Sequence, residues 1–140
     1  MQHTMHETFD HTADLGLRVR APDLTTLFSE AAAGLSAILV ENPEAIVPRE
    51  SMDFRVQGSE VEYLFFDWLS ELLFAFDTRQ LVFSKFDVRI HETGMECTAR
   101  GEPLDIDRHG GNHDVKAITY HELQVTETDE GWLAEVILDL

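Results

Sequence analysis

Residues 8–21 read TFDHTADLGLRVRA. Two aspartates, Asp10 and Asp14, and one imidazole, His11, fall within five residues, and a strict alternation follows at once. Leu15, Leu17, Val19 and Ala21 take one side and Gly16, Arg18 and Arg20 the other, the period-two signature of a half-buried strand. A polar cluster that runs straight into a core strand is held by a rigid element, and a binding constellation needs that rigidity. The residues alone leave a plainer reading open, in which Asp10 and Thr12 satisfy the backbone of a turn.

Beyond this strand the pattern changes to a helical one. Asp23 is placed to cap a helix carrying Leu24, Leu27, Phe28, Ala31, Leu35, Ile38 and Leu39 at helical spacing. The breaker pair at 42–43 ends it near Val40. Residues 41–51 read as a loop, and Met52, Phe54 and Val56 alternate as a strand. Ser59 and Glu62 match a capping box at the head of a second helix. Val61, Leu64, Phe65, Trp68, Leu69, Leu72, Leu73 and Phe76 form its stripe, which reads as core. Residues 81–90 and 95–100 read as two strands joined by a turn, 104–106 as a short strand, 115–125 as a long one, and 132–139 as the last. The expected fold is α+β, with two helices packed on one face of a mostly antiparallel mixed β-sheet.

With 140 residues the chain suits one domain with a real core, taken here as 7–140 behind a loose extension over 1–6. No apolar run reaches membrane-spanning length, and the start carries no leader pattern, so a soluble cytoplasmic protein is expected. The single cysteine, Cys97, alternates with Met95 and Ala99 and reads as core filler. The formal net charge is −17, with lysine only at 85 and 116. Such a surface argues against broad phosphate contact with nucleic acid and favours cations or a basic protein surface as partners. Adaptation of the whole surface to salt explains the same composition equally well.

The chain ends VILDL at 136–140, which sets Asp139 one residue from the carboxylate of Leu140. If this strand end lies near Asp14, three anionic groups converge and repel one another unless a cation joins them. Oxygen ligands alone favour calcium or magnesium, or manganese, over zinc. Lys116, in KAITYHEL, could neutralise nearby carboxylates or meet a phosphate; as an ordinary strand lysine it would simply face outward. Alternation puts His121 on the face of Val115, Ala117 and Thr119, as a hydrogen-bonded histidine at the core edge. His109 and His113 are separated by a glycine pair, which argues against a helix presenting both to zinc. Glu71 flanks the stripe of the second helix and could edge a cleft. A nucleophile elbow, a phosphate-binding glycine loop and an RNA-binding signature are all absent from the sequence.

Taken together, these stretches resemble the archease family. HTAD at 11–14, preceded by an acid and followed by Leu15 and Gly16, matches its opening signature. VKAITYH at 115–121 matches its most distinctive internal motif, and 136–140 its acidic-apolar end. Weaker agreement runs through 69–73, with Glu71 at the matching acid, and through Gly101, Glu102 and His109. Asp114 departs from the family, which more often has glutamate there. The resemblance implies a protein cofactor, not an enzyme, that assists the GTP-dependent RNA-splicing ligase joining 3′-phosphate and 5′-hydroxyl ends in tRNA splicing and RNA repair. It implies guanylylation of the ligase histidine and multiple turnover as the steps promoted. It also implies a metal site at Asp14, Asp139 and Leu140, holding calcium first, with magnesium or manganese as alternatives. Lys116, Glu71 and His11 are implied as activating residues. Stable direct contact with nucleic acid or membrane is not expected. The rival from another class is a free-standing metal-dependent phosphoester hydrolase using Asp10, His11 and Asp14, with His11 as ligand or general base. A third reading is a general chaperone-like binding module.

Overall fold

A computed structural model describes residues 4–11 and 14–140. The role read for Thr12, and residues 1–3 of the expected extension, lie outside the described residues. β1 (Met5–His11) and β2 (Asp14–Ala21) form an antiparallel hairpin in which His11 faces Asp14 and Met5 faces Arg20. β1 therefore begins inside the segment expected to be loose, and His6 is tied by a 2.6 Å hydrogen bond between its Nδ1 and Glu30.

α1 (Leu24–Leu39) starts where Asp23 predicts, since its carboxylate accepts from the Thr26 amide at 2.8 Å. It stops at Val40, ahead of a 3-10 turn at Pro43–Ala45. α2 (Val61–Arg79) buries the expected stripe, but its N-cap position is Glu60 and no side chain caps it. The helix begins one residue too late for Ser59 to reach it, so the capping box does not form. Its other end closes on Gln80 in the left-handed conformation.

β3 (Glu50–Gln57), β4 (Leu81–His91) and β5 (Gly94–Pro103) make one sheet in the order β3-β5-β4. Gly94 opens β5 so close to β3 that a Cβ there would stand 2.2 Å from the Val56 carbonyl oxygen. The strand expected at 104–106 is replaced by a short helix, α3 (Ile106–His109), because Asp105 accepts from the Asp107 amide and starts a turn. β6 (Ala117–Ile118), β7 (Gln124–Thr128) and β8 (Gly131–Asp139) complete a second sheet, β1-β2-β8-β6, with β7 also on β8. All pairings between described strands are antiparallel, and the expected α+β layers are present with the strands divided between two sheets.

The long strand expected over 115–125 is broken. Ile118 faces Leu138 and Gln124 faces Glu135, so this side of the ladder carries three more residues than β8 can pair. The excess is expelled as a tight turn with Glu122 at φ 53° and the Leu123 amide on the Tyr120 carbonyl. His121 is consequently exposed rather than held at the core edge.

One apolar core joins both sheets and both helices. Trp68 lies at its centre, fully buried, edge-on to Phe54 and Phe86, with its indole N–H donating to the Phe28 carbonyl at 2.9 Å. Cys97 is also fully buried, as core filler should be, and burial pushes its thiol up to about 12. Among the described residues no helix is long and apolar enough to cross a membrane.

Candidate metal centre

The register of three strand pairs builds the site. β2 and β8 are matched so that Leu15 faces Leu138, and continuing that register by one residue sets Asp14 opposite Asp139. β1 sets His11 against Asp14, and β6 sets Ala117 against Asp139. His11, Asp14, Asp139 and Ala117 thus form one transverse row across four strands, and directly opposed residues share a face of the sheet. That face is the outer one, since Leu15, Leu17 and Val19 on the other parity are buried in the core. Asp14 and Asp139, 125 positions apart in the sequence numbering, meet because both lie at the same end of adjacent strands.

The same row continues as a charged and aromatic face. Phe9 lies over Gly16, where a Cβ would stand 2.2 Å from the ring, so glycine is required under it. The Arg18 guanidinium sits 4.6 Å from the Phe9 ring centroid and binds Glu135 at 2.5 Å and Glu7 at 3.2 Å. These two carboxylates raise its pKa further, Glu135 most. Glu7 and Glu135 are thereby neutralised, whereas Asp139 makes no side-chain hydrogen bond or ion pair among the described residues. Among the described residues Asp14 has only His11, whose Nδ1 lies 3.9 Å from its carboxylate.

Two opposed aspartates that form no ion pair with lysine or arginine among the described residues suit a hard divalent ion, which binds oxygen. The donor set at Asp14 and Asp139 fits such an ion, and the main-chain oxygen of Leu140 follows directly after the end of β8. The side chain of Leu140 is partly buried against the core, which anchors this strand end. Lys116 is exposed beside it, and its amide donates to the Asp139 carbonyl at 2.7 Å. Glu71 is placed differently: it lines a cleft between α2 and β3 with Arg55, Gln57 and Asp67, in which Asp14, His11 and Asp139 take no part. Asp10 pairs with Leu15, which puts it on the opposite face of the hairpin from His11 and Asp14. The three residues required by the hydrolase reading therefore do not converge.

The bulge at 120–122 adds groups that strand alternation concealed. His11 Nε2 lies 3.0 Å from a Glu122 carboxylate oxygen, and the His121 ring meets the His11 ring edge-on at 5.3 Å. Tyr120 stacks on Phe66 at 3.8 Å and fixes the bulge to α2. The detectable signal was arithmetic: the ladder beside β8 has too many residues to run straight.

A second polar cluster is centred on two fully buried side chains. Glu102 and His109 have no exposure, and Glu102 accepts from the Val47 amide, from both terminal nitrogens of Arg108 and from His109 Nε2 at 2.8–3.0 Å. Arg49 lies 2.9 Å from the same carboxylate. The Asp105 amide donates to His109 Nδ1, so the imidazole proton is on Nε2 and points at Glu102. Arg108 first, then the Val47 amide, hold the Glu102 carboxyl far below the usual carboxylate range. With four donors on one carboxylate, this is a structural clasp tying the 45–49 loop to α3.

Fold and site define a small α+β protein with an acidic site where the strand bearing its opening motif meets its last strand. The sequence model of the archease protein family matches residues 6–140. Methanopyrus kandleri archease is 38% identical over 138 residues, covering 96% of this chain and 98% of that protein. Pyrococcus abyssi archease is 34% identical over 139 residues, covering 96% and 97%. Among solved structures, Methanobacterium thermoautotrophicum protein 1598 superposes with a TM-score of 0.84 at 34% identity, covering 96% of this chain and 98% of that one. A Thermotoga maritima archease, described as a possible chaperone, shares the fold at a TM-score of 0.64 and 20% identity, covering 99% and 100%. The chain belongs to the archease family.

Proposed function

We propose that this protein is a non-enzymatic activator of a GTP-dependent RNA-splicing ligase, acting in tRNA splicing and RNA repair in the cytoplasm. The observation that carries the reading is the strand register that opposes Asp14 and Asp139, in a chain whose family membership is clear. A hard divalent ion, calcium first and magnesium or manganese as alternatives, would be held by Asp14, Asp139 and the main-chain oxygen of Leu140. When bound, such an ion supplies positive charge at the tip and leaves positions open to a partner's oxygens.

The protein's own residues then have defined tasks. Asp14 and Asp139 present negative charge on a rigid strand end, able to enter a basic nucleotide cleft. Lys116 offers a mobile cation beside them for a phosphate. Transfer of a nucleotidyl group to a histidine depends on positioning and charge neutralisation, so a helper lacking a nucleophile can still accelerate it. Exposed Tyr63 and Tyr120 lie on the same flank and suit contact with a protein surface. Glu71, on its separate cleft, is assigned to partner contact rather than to the ion.

The test is multiple-turnover ligation by the cognate ligase with and without this protein. Asp14→Ala and Asp139→Ala are each expected to abolish stimulation while leaving the circular dichroism spectrum intact. Full turnover with either variant would refute the reading.

A further inference from the structure

We propose that His11, His121 and Glu122 form a second metal site, of the transition-metal kind, beside the oxygen-ligand site. The three side chains come from the first strand and from the expelled turn, and one ligand atom from each lies within 4.8 Å of the others. The His11 Nε2 to Glu122 oxygen distance of 3.0 Å is close to the edge of a tetrahedral coordination shell with ligand bonds of about 2 Å. Two imidazoles and one carboxylate favour zinc, cobalt or nickel over calcium and magnesium, which take oxygen. A fourth position faces outward, open to water or to a partner's group.

The far side of His11 supplies an independent observation. Its Nδ1 is the one buried side-chain polar atom without a hydrogen-bond partner among the described residues. Asp14 stands 3.9 Å away. A ligating histidine must carry its proton on the nitrogen that does not bind metal, and that nitrogen ordinarily faces a carboxylate. With Nε2 on the ion, the proton moves to Nδ1 and points at Asp14, and the unpartnered atom acquires its role. A simple hydrogen bond from His11 to Glu122 accounts for neither Nδ1 nor the edge-on approach of His121. Asp14 would then serve both sites, as ligand to the hard ion and as positioning residue for His11. The inference concerns this chain's own side chains and stands whether or not the ligase reading holds.

The experiment is a titration of the full chain with Co²⁺, followed by Zn²⁺ displacement. One equivalent of Co²⁺ should give the visible absorption of a four-coordinate ion, and Zn²⁺ should abolish it. His121→Ala and Glu122→Ala should each weaken Zn²⁺ binding about tenfold or more, and His113→Ala should not. Calcium binding should be unchanged in both variants. A measurement that needs no variant is the response of the histidine ring nitrogens to one equivalent of Zn²⁺, read by NMR. Shifts at His11 and His121 are expected; shifts confined to other histidines, or Zn²⁺ affinity unaltered in both variants, would overturn the proposal.

Discussion

At the residue scale the most constrained side chain is Glu102. A carboxylate buried with four donors is an anion stabilised by its surroundings, and its pKa is driven down from the ordinary value of 4.5 by Arg108 foremost. Its stabilising contribution is complete above the unfolded carboxylate value and is lost as pH falls below about 4.5 toward the depressed folded value. Glu102→Gln should therefore melt at a lower temperature than the parent at pH 7 and show a shallower decline in acid, measured by thermal denaturation from pH 7 to pH 3. Equal acid slopes would contradict this account. Cys97 carries a second prediction: with its thiol buried and pushed up to about 12, it should resist iodoacetamide until the chain is unfolded. The sequence reads this cysteine correctly because alternation with Met95 and Ala99 is a local signal. His121 is misread for the same reason, since alternation assumes an unbroken strand. Nothing local at 119–123 announces the expelled turn. It arises from pairing with β8, a partner remote in sequence.

At the scale of elements, both helical stripes are legible because burial of one face repeats every turn. Trp68 and its neighbours are recognisable as core from spacing alone. Trp68→Ala should destabilise the fold by about 3–5 kcal/mol, read from urea denaturation; a loss within error of zero would mean that the centre of the core lies elsewhere. The cap of α2 is less legible. Ser59 and Glu62 have the right spacing, yet a helix start displaced by one residue uncouples them. The segment 104–106 fails for a related reason: Leu104 and Ile106 suggest alternation, while Asp105 and the Arg108–Glu102 ion pair reward a turn. Short elements are decided by such tertiary contacts rather than by their own pattern.

At the scale of the whole molecule, the α+β class was legible and the division into two sheets was not. Sheet membership depends on which strands pair, and a pattern of burial is the same in either arrangement. Asp14, Asp139 and Leu140 could be chosen as a group through the family resemblance, and their opposition rests on a register that no single stretch encodes. The charge of −17 also acts at this scale. Self-repulsion among its acids should be screened by salt, so the melting temperature should rise with added sodium chloride; a flat or falling response would assign the acids to local ion pairs instead.

In the proposed site Asp14 and Asp139 share one hard cation across the β2–β8 ladder. Calorimetric titration with Ca²⁺ of the parent chain, Asp14→Ala and Asp139→Ala tests it most directly. One ion per parent chain is expected, with that binding lost in each variant alone. Undiminished calcium affinity in either variant, with the fold intact, would contradict it.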